Sequence, residues 1–214
     1  MEGAATIAQA ALADHPADPE VIQKMPDKTE LMKSSKRLTK LGRSKTGVPM
    51  RNYSKYIKRA EGLGALGAKV IPVKSIVAAE WVRMKCQYGC DGYGGCLTCP
   101  PYSPTPETTR RMLGYYRRGL LIRGNEYTDV RSITVTLERE MFLDGYFKAF
   151  GMGAGPCNLC EECAETCCHT EKTRPSLEAC GIDVYTTVRA NGYPIEVLKT
   201  ADRKGNYYGI VLFE

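Results

Sequence analysis

Gly151-Met152-Gly153-Ala154-Gly155-Pro156-Cys157-Asn158-Leu159-Cys160-Glu161-Glu162-Cys163-Ala164-Glu165-Thr166-Cys167 is the stretch from which the rest of the chain is read. Its cysteines are spaced C-x2-C-x2-C-x3-C, the run of thiolates that bacterial ferredoxins use. Ligands every three residues let a short, turning backbone wrap one iron–sulfide cube and offer thiolates to three irons. The fourth cysteine of such a run often serves a different cluster. Small residues ahead of Cys157 let backbone amides approach sulfur, where a hydrogen bond raises the reduction potential. Zinc is the competing reading, but zinc sites draw on two separated C-x2-C pairs, which three evenly spaced cysteines fit poorly.

Working outward, a second group lies upstream: Cys86-x3-Cys90-x5-Cys96-x2-Cys99, followed by Pro100 and Pro101. Proline after a ligand fixes the turn and removes a backbone donor. Gly89, Gly92, Gly94 and Gly95 make a loop able to fold around a cluster, and four thiolates suffice for one [4Fe–4S] site. The spacing is less specific here. Cys96 and Cys99 alone form a zinc half-site. The C-x3-C-x2-C spacing of radical-SAM enzymes is absent, because position 93 is tyrosine.

Compartment decides how the ten cysteines are treated. No apolar run approaches the roughly 20 residues that span a bilayer, so no membrane insertion is expected. Residues 1–12 are alanine-rich but carry Glu2 and lack the basic start of a secretory signal. The chain therefore reads as cytoplasmic, where clustered thiols are metal ligands before they are disulfides.

Charge divides the chain. Residues 1–69 hold 13 Lys/Arg against 7 Asp/Glu, whereas residues 70–214 hold 17 of each. All the excess lies on the part without cysteines. Residues 1–69 read as a basic N-terminal arm, solvated or laid on a partner subunit. Nucleic acid is disfavoured as its partner, because no aromatic-studded basic groove follows. Within it, Gly62-Leu63-Gly64-Ala65-Leu66-Gly67 fits G-x-G-x-x-G, but it follows a helical pattern and precedes a strand, the reverse of a dinucleotide site.

Periodicity predicts helices over residues 53–63, 106–121 (N-cap Thr105), 134–150 and 176–190, the last broken near Gly181 and stopped by Gly192. Strands are expected over 69–73, over 76–84 leading into the first cysteine loop, and over 195–199 paired with 207–213. The fold class is α+β, with a ferredoxin-like iron–sulfur cluster-binding portion and a basic N-terminal arm.

Outside the cysteines the signals are weaker. His15 lies in the arm and reads as solvated; His169 lies beside the second group, as a tuning hydrogen-bond donor or a plain loop residue. Arg83, Lys85, Lys172 and Arg174 flank the thiols, where cations raise the potential of an anionic cluster or are simply surface charge. Glu138, Glu140 and Glu178 have no base or nucleophile to pair with and are expected on helix surfaces.

Lys85-Cys86-Gln87-Tyr88-Gly89-Cys90, Thr98-Cys99-Pro100-Pro101-Tyr102-Ser103-Pro104, Gly155-Pro156-Cys157-Asn158-Leu159-Cys160 and residues 174–184 (RPSLEACGIDV) together resemble DUF2284, a family of predicted metal-binding proteins, over about residues 70–214. The resemblance implies ligands at Cys86, Cys90, Cys99, Cys157, Cys160, Cys163, Cys167 and Cys180, enough for two [4Fe–4S] clusters, and suggests an anaerobic setting. It supplies no activity. Cys96 and Cys168 are additions to its pattern. One cube is expected on Cys157, Cys160 and Cys163, and another on Cys86, Cys90 and Cys99, with Cys167 and Cys180 completing the pair in either order. The competing scheme closes the first cube with Cys86, Cys90, Cys96 and Cys99.

The expected function is electron transfer by a small redox protein or subunit of a larger redox complex, docked through residues 1–69. Two alternatives stand: a cluster-based reductase or lyase acting on a small molecule, and a zinc-stapled interaction module.

Overall fold

The computed structural model describes residues 53–200 and 204–214, within a compact unit running from Arg51 to Glu214. The readings of His15 and of the basic stretch before residue 53 lie outside the described residues.

Four strands form one antiparallel sheet: β1 (Gly67–Pro72), β2 (Arg118–Gly124), β3 (Phe150–Met152) and β4 (Tyr207–Phe213), in the order β1-β2-β4-β3. Among the described residues five α-helices accompany it: α1 (Ser54–Gly62), α2 (Glu80–Gly89), α3 (Pro106–Leu113), α4 (Val130–Leu143) and α5 (Val184–Ala190). This is an α+β architecture.

The two central strands carry continuous buried runs, residues 119–122 of β2 and 208–213 of β4, because both faces of the sheet are covered there. Alternation sends Leu120, Ile122, Val211 and Phe213 to one face, against Tyr56 and Ala60 of α1 and Leu137 and Met141 of α4. It sends Leu121, Ile210 and Leu212 to the other, against Leu177, Ile182 and Val188. Each such fully buried side chain contributes about 1.5–3 kcal/mol. Among the cysteines only Cys180 belongs to either core cluster, so the core does not depend on a metal. Anaerobic chelation is expected to leave the far-UV circular dichroism and cooperative unfolding in place; collapse of both on chelation would contradict it.

Several elements differ from the sequence expectation. Residues 76–84 do not form a strand: after an isolated bridge between Ala78 and Ile182, the chain enters α2, whose Val82 is buried while Trp81, Met84 and Tyr88 stay exposed. The helix begun at Pro106 ends at Leu113. Gly114 follows it, and residues 118–124 become β2, because the run Leu120-Leu121-Ile122 is buried on two faces rather than along one stripe. α4 starts at Val130, with Asp129 accepting from the Ser132 amide, and stops at Leu143. Of residues 176–190 only α5 is helical, capped by Asp183. β4 pairs with β2 and β3, not with residues 195–199. Gly62 ends a helix and Gly67 opens a strand, as expected for a G-x-G-x-x-G that is not a nucleotide loop.

Gly181 places the segment that joins the core to the first cysteine loop. Its φ is +75°, and a Cβ there would stand 2.5 Å from Cγ of Pro106 at the start of α3. Only glycine fits both conditions.

Candidate metal centre

The first cysteine loop is anchored through α2. Cys86 and Cys90 lie one turn apart, Cys90 being the C-cap, so both face one side of the helix. Arg83, one turn earlier, is a hydrogen-bonding hub. Its Nη1 donates to the Ser103 carbonyl (3.2 Å) and hydroxyl (3.1 Å), and to the carbonyls of Pro104 (3.0 Å) and Ala179 (3.2 Å). Its Nη2 donates to the Pro101 carbonyl at 3.1 Å. The Ser103 hydroxyl donates to Ala179 O at 2.6 Å. One guanidinium thus ties α2 to the turn after Cys99 and to the residue before Cys180.

The second loop has its own clip. Arg174 Nε and Nη2 bond Glu138 of α4 in a bidentate pair (2.6 and 2.7 Å), while Nη1 donates to the carbonyls of Thr170 (3.1 Å) and Thr173 (2.5 Å). Glu138 also accepts from the Gly151 amide at 2.8 Å. The surface placement expected for Glu138 is therefore corrected: its side chain is 13% exposed. Two of the amides ahead of Cys157 are engaged elsewhere, Gly151 by Glu138 and Gly153 by the Pro175 carbonyl.

Between these clips the two loops meet. A cavity of about 80 Å³ is lined by Cys96 from the first loop and by Cys157, Cys160, Cys163, Cys167 and Cys168 from the second. The Leu97 amide donates to Cys163 Sγ at 3.5 Å. Cys96 and Cys99 sulfurs stand 3.2 Å apart, and those of Cys160 and Cys168 stand 3.8 Å apart. Cys160, Cys168 and His169 offer ligand atoms all within 4.8 Å of one another. Thr98 and Thr173 hydroxyls lie 3.5 Å from Cys96 Sγ and 3.3 Å from Cys157 Sγ. Sequence reading passed over both threonines; a hydroxyl near a ligand in sequence is too common to stand out. Cys168 had a signal, the Cys167-Cys168 doublet.

Cys180 is placed differently. It is fully buried among Leu113, Leu177 and Ile182 and lines neither this cavity nor the groove that holds Cys86 and Cys90.

The thiols perturb one another. Burial, then the hydrogen bond with Cys96, pushes Cys99 up to about 12. Burial also raises Cys96, but hydrogen bonds with Thr98 and Cys99 and from the amides of Cys157 and Thr98 outweigh it and hold that thiol below its ordinary range. Cys86 is raised by burial, then by Cys90 and Glu178. Cys160 is raised by its hydrogen bond with Cys168, then by burial and by the neighbouring sulfurs. So many thiolates cannot coexist without a cation among them, and a bound metal releases those protons. The donor set is soft, which suits zinc or iron–sulfide and not magnesium or calcium.

The family profile of DUF2284, described as a predicted metal-binding protein, matches residues 69–213. The chain belongs to the DUF2284 family. The match takes in every cysteine of the chain, so the DUF2284 region carries the whole candidate centre. No curated protein and no solved structure matches the chain. Among the described residues no helix is long and apolar enough to cross a membrane.

Proposed function

We propose that this chain is an iron–sulfur electron-transfer protein holding two [4Fe–4S] clusters. The observation that carries the reading is the convergence of a ferredoxin-type cysteine run with a cysteine from a distant loop on one cavity. Cys157, Cys160, Cys163 and Cys167 form one ligand set. Cys86, Cys90, Cys96 and Cys99 form the other, and Cys180 is a core thiol. The segment Cys96-Leu97-Thr98-Cys99 then lies between the centres, which favours electrons passing from one to the other. Clusters supply one-electron chemistry when bound; the chain's own work is to hold the thiolates and donate hydrogen bonds to them from Leu97, Thr98 and Thr173. The cation excess of residues 1–69 suits docking an acidic redox partner in the cytoplasm.

Anaerobic purification with metal analysis tests this. About eight irons per chain and visible absorption bleached by dithionite are expected. Cys96→Ser should remove about half the iron, whereas Cys180→Ala should keep it. The reverse outcome would place Cys180, not Cys96, on the first cube. A colourless protein would end the reading altogether.

Zinc has one specific observation in its favour. Tetrahedral zinc with bonds of about 2.3 Å sets its sulfurs about 3.8 Å apart, which is the separation of Cys160 and Cys168 with His169 beside them. One or two zinc ions per chain, and no iron, would select a zinc-stapled module instead.

A further inference from the structure

Cys96 and Cys99 meet more closely than two ligands of one metal do. Their sulfurs stand 3.2 Å apart, inside the edge of about 3.8 Å that tetrahedral zinc sets between two thiolates. Two thiolates on separate irons of a cube stand farther apart still, so loading the first cube requires the pair to part. The chain holds the two residues together. The Cys99 amide donates to the Cys96 carbonyl at 2.9 Å, closing a four-residue turn, and such turns bring their end Cα atoms within about 7 Å, the reach of a disulfide. The Cys99 carbonyl accepts from the amides of Tyr102 (3.0 Å) and Ser103 (3.1 Å), and Arg83 fastens Ser103 to α2. Thr98, between the two thiols, is buried.

The two sulfurs differ in their surroundings. Cys96 lines a surface opening of about 370 Å³ with Gly94, Leu97 and Tyr102. Cys99 lines neither that opening nor the cavity between the loops. Donors converge on Cys96: its sulfur accepts from the amides of Cys157 and Thr98, and the Thr98 hydroxyl lies 3.5 Å away. Amides pointed at a sulfur stabilise the negative charge it carries while attacking. One thiol is therefore reachable from solvent, and its partner stands within closing distance. Cys160 and Cys168 are the competing pair, but their sulfurs stand 3.8 Å apart, at the zinc edge.

We propose that Cys96 and Cys99 are a thiol–disulfide exchange site for low-molecular-weight disulfides. The Cys96 thiolate attacks one sulfur of the external disulfide, forming a mixed disulfide and releasing one thiolate. Cys99 then attacks Cys96 Sγ and releases the second. Both leaving thiolates take up the protons that Cys96 and Cys99 lose. Two protein thiols are oxidised to one disulfide, and one external disulfide is reduced to two thiols. The exchange does not need the iron–sulfur reading; only its suppression by a bound cluster rests on that reading, since both thiols are then ligands.

Oxidised glutathione is the probe. The full-length chain, stripped of metal by anaerobic chelation, is incubated with it, alkylated and digested, and the disulfides are located by mass spectrometry. A link between Cys96 and Cys99, with Cys86 and Cys90 alkylated, is expected. In Cys99→Ser a glutathione adduct on Cys96 should accumulate at least about tenfold faster than one on Cys99 in Cys96→Ser. No link, links confined to the second loop, or equal adduct rates would overturn the proposal. In the iron-loaded chain closure should slow at least about tenfold. Closure at the full rate with all iron retained would count against Cys96 and Cys99 as cube ligands while leaving the exchange standing.

Discussion

Replacing Arg174 with methionine is expected to destabilise the chain by about 3 kcal/mol and to empty the second cysteine loop of metal while sparing the first. The pair it breaks is partly dry, with Arg174 and Glu138 side chains 19% and 13% exposed. Removing one partner of a buried ion pair typically costs about 3–5 kcal/mol, and the residual exposure argues for the lower end. The loss is larger than a Coulomb term. Methionine also frees the carbonyls of Thr170 and Thr173, and leaves a carboxylate at Glu138 whose remaining partner is the Gly151 amide. The segment joining Cys167, Cys168 and His169 to the core then keeps its backbone tie from Gly153 to Pro175 but loses its side-chain clip. Denaturant midpoints with metal counts check this. Glu138→Gln should be milder, because the amide oxygen still accepts from Arg174 and Gly151, and the two changes together should cost less than their sum. A shift under about 0.5 kcal/mol with full metal content would show that the pair is ornamental.

The cysteine spacings and the apolar runs were legible in the sequence; what lay between them was not. The strand 207–213 was readable because Tyr208 to Phe213 is apolar and β-rich, yet its partners were not, since register depends on distant strands. Residues 76–84 misled because Ile76, Val77, Trp81 and Val82 favour strands individually, while only Val82 of α2 finds the core. Arg83 and Arg174 looked like surface charge or cluster counter-ions. Their actual partners, the Ala179 carbonyl and the Glu138 carboxylate, are 96 and 36 residues away. Propensity carries no information over that distance. Cys96 shows the same limit: three residues before Cys99 in sequence, it borders a cavity whose other thiols all come from residues 157–168.

Replacing Arg83 with methionine should do to the first loop what loss of Arg174 does to the second. The guanidinium fork serves the carbonyls of Pro101, Ser103, Pro104 and Ala179 and the Ser103 hydroxyl at once. Methionine keeps the aliphatic stem and removes every donor, so several half-buried acceptors lose their partners together. Hydrogen bonds from a charged donor contribute about 1.5–3 kcal/mol each, but bonds sharing one donor group are far from additive, so about 3 kcal/mol is expected. Lysine should recover only part of it, because three donors on one nitrogen cannot span the positions that the planar fork reaches. Ser103→Ala removes the 2.6 Å bond to Ala179 and one contact to Arg83, and should cost about 1–2 kcal/mol. In a double-mutant cycle it should couple to Arg83→Met. The site readout separates this hub from a purely structural one. On the proposed ligand sets, metal held by Cys86, Cys90, Cys96 and Cys99 should be lost at temperatures where the chain is still folded, with the signal of the second set intact. Equal loss from both centres, tracking global unfolding, would mean that Arg83 holds the fold and not the loop.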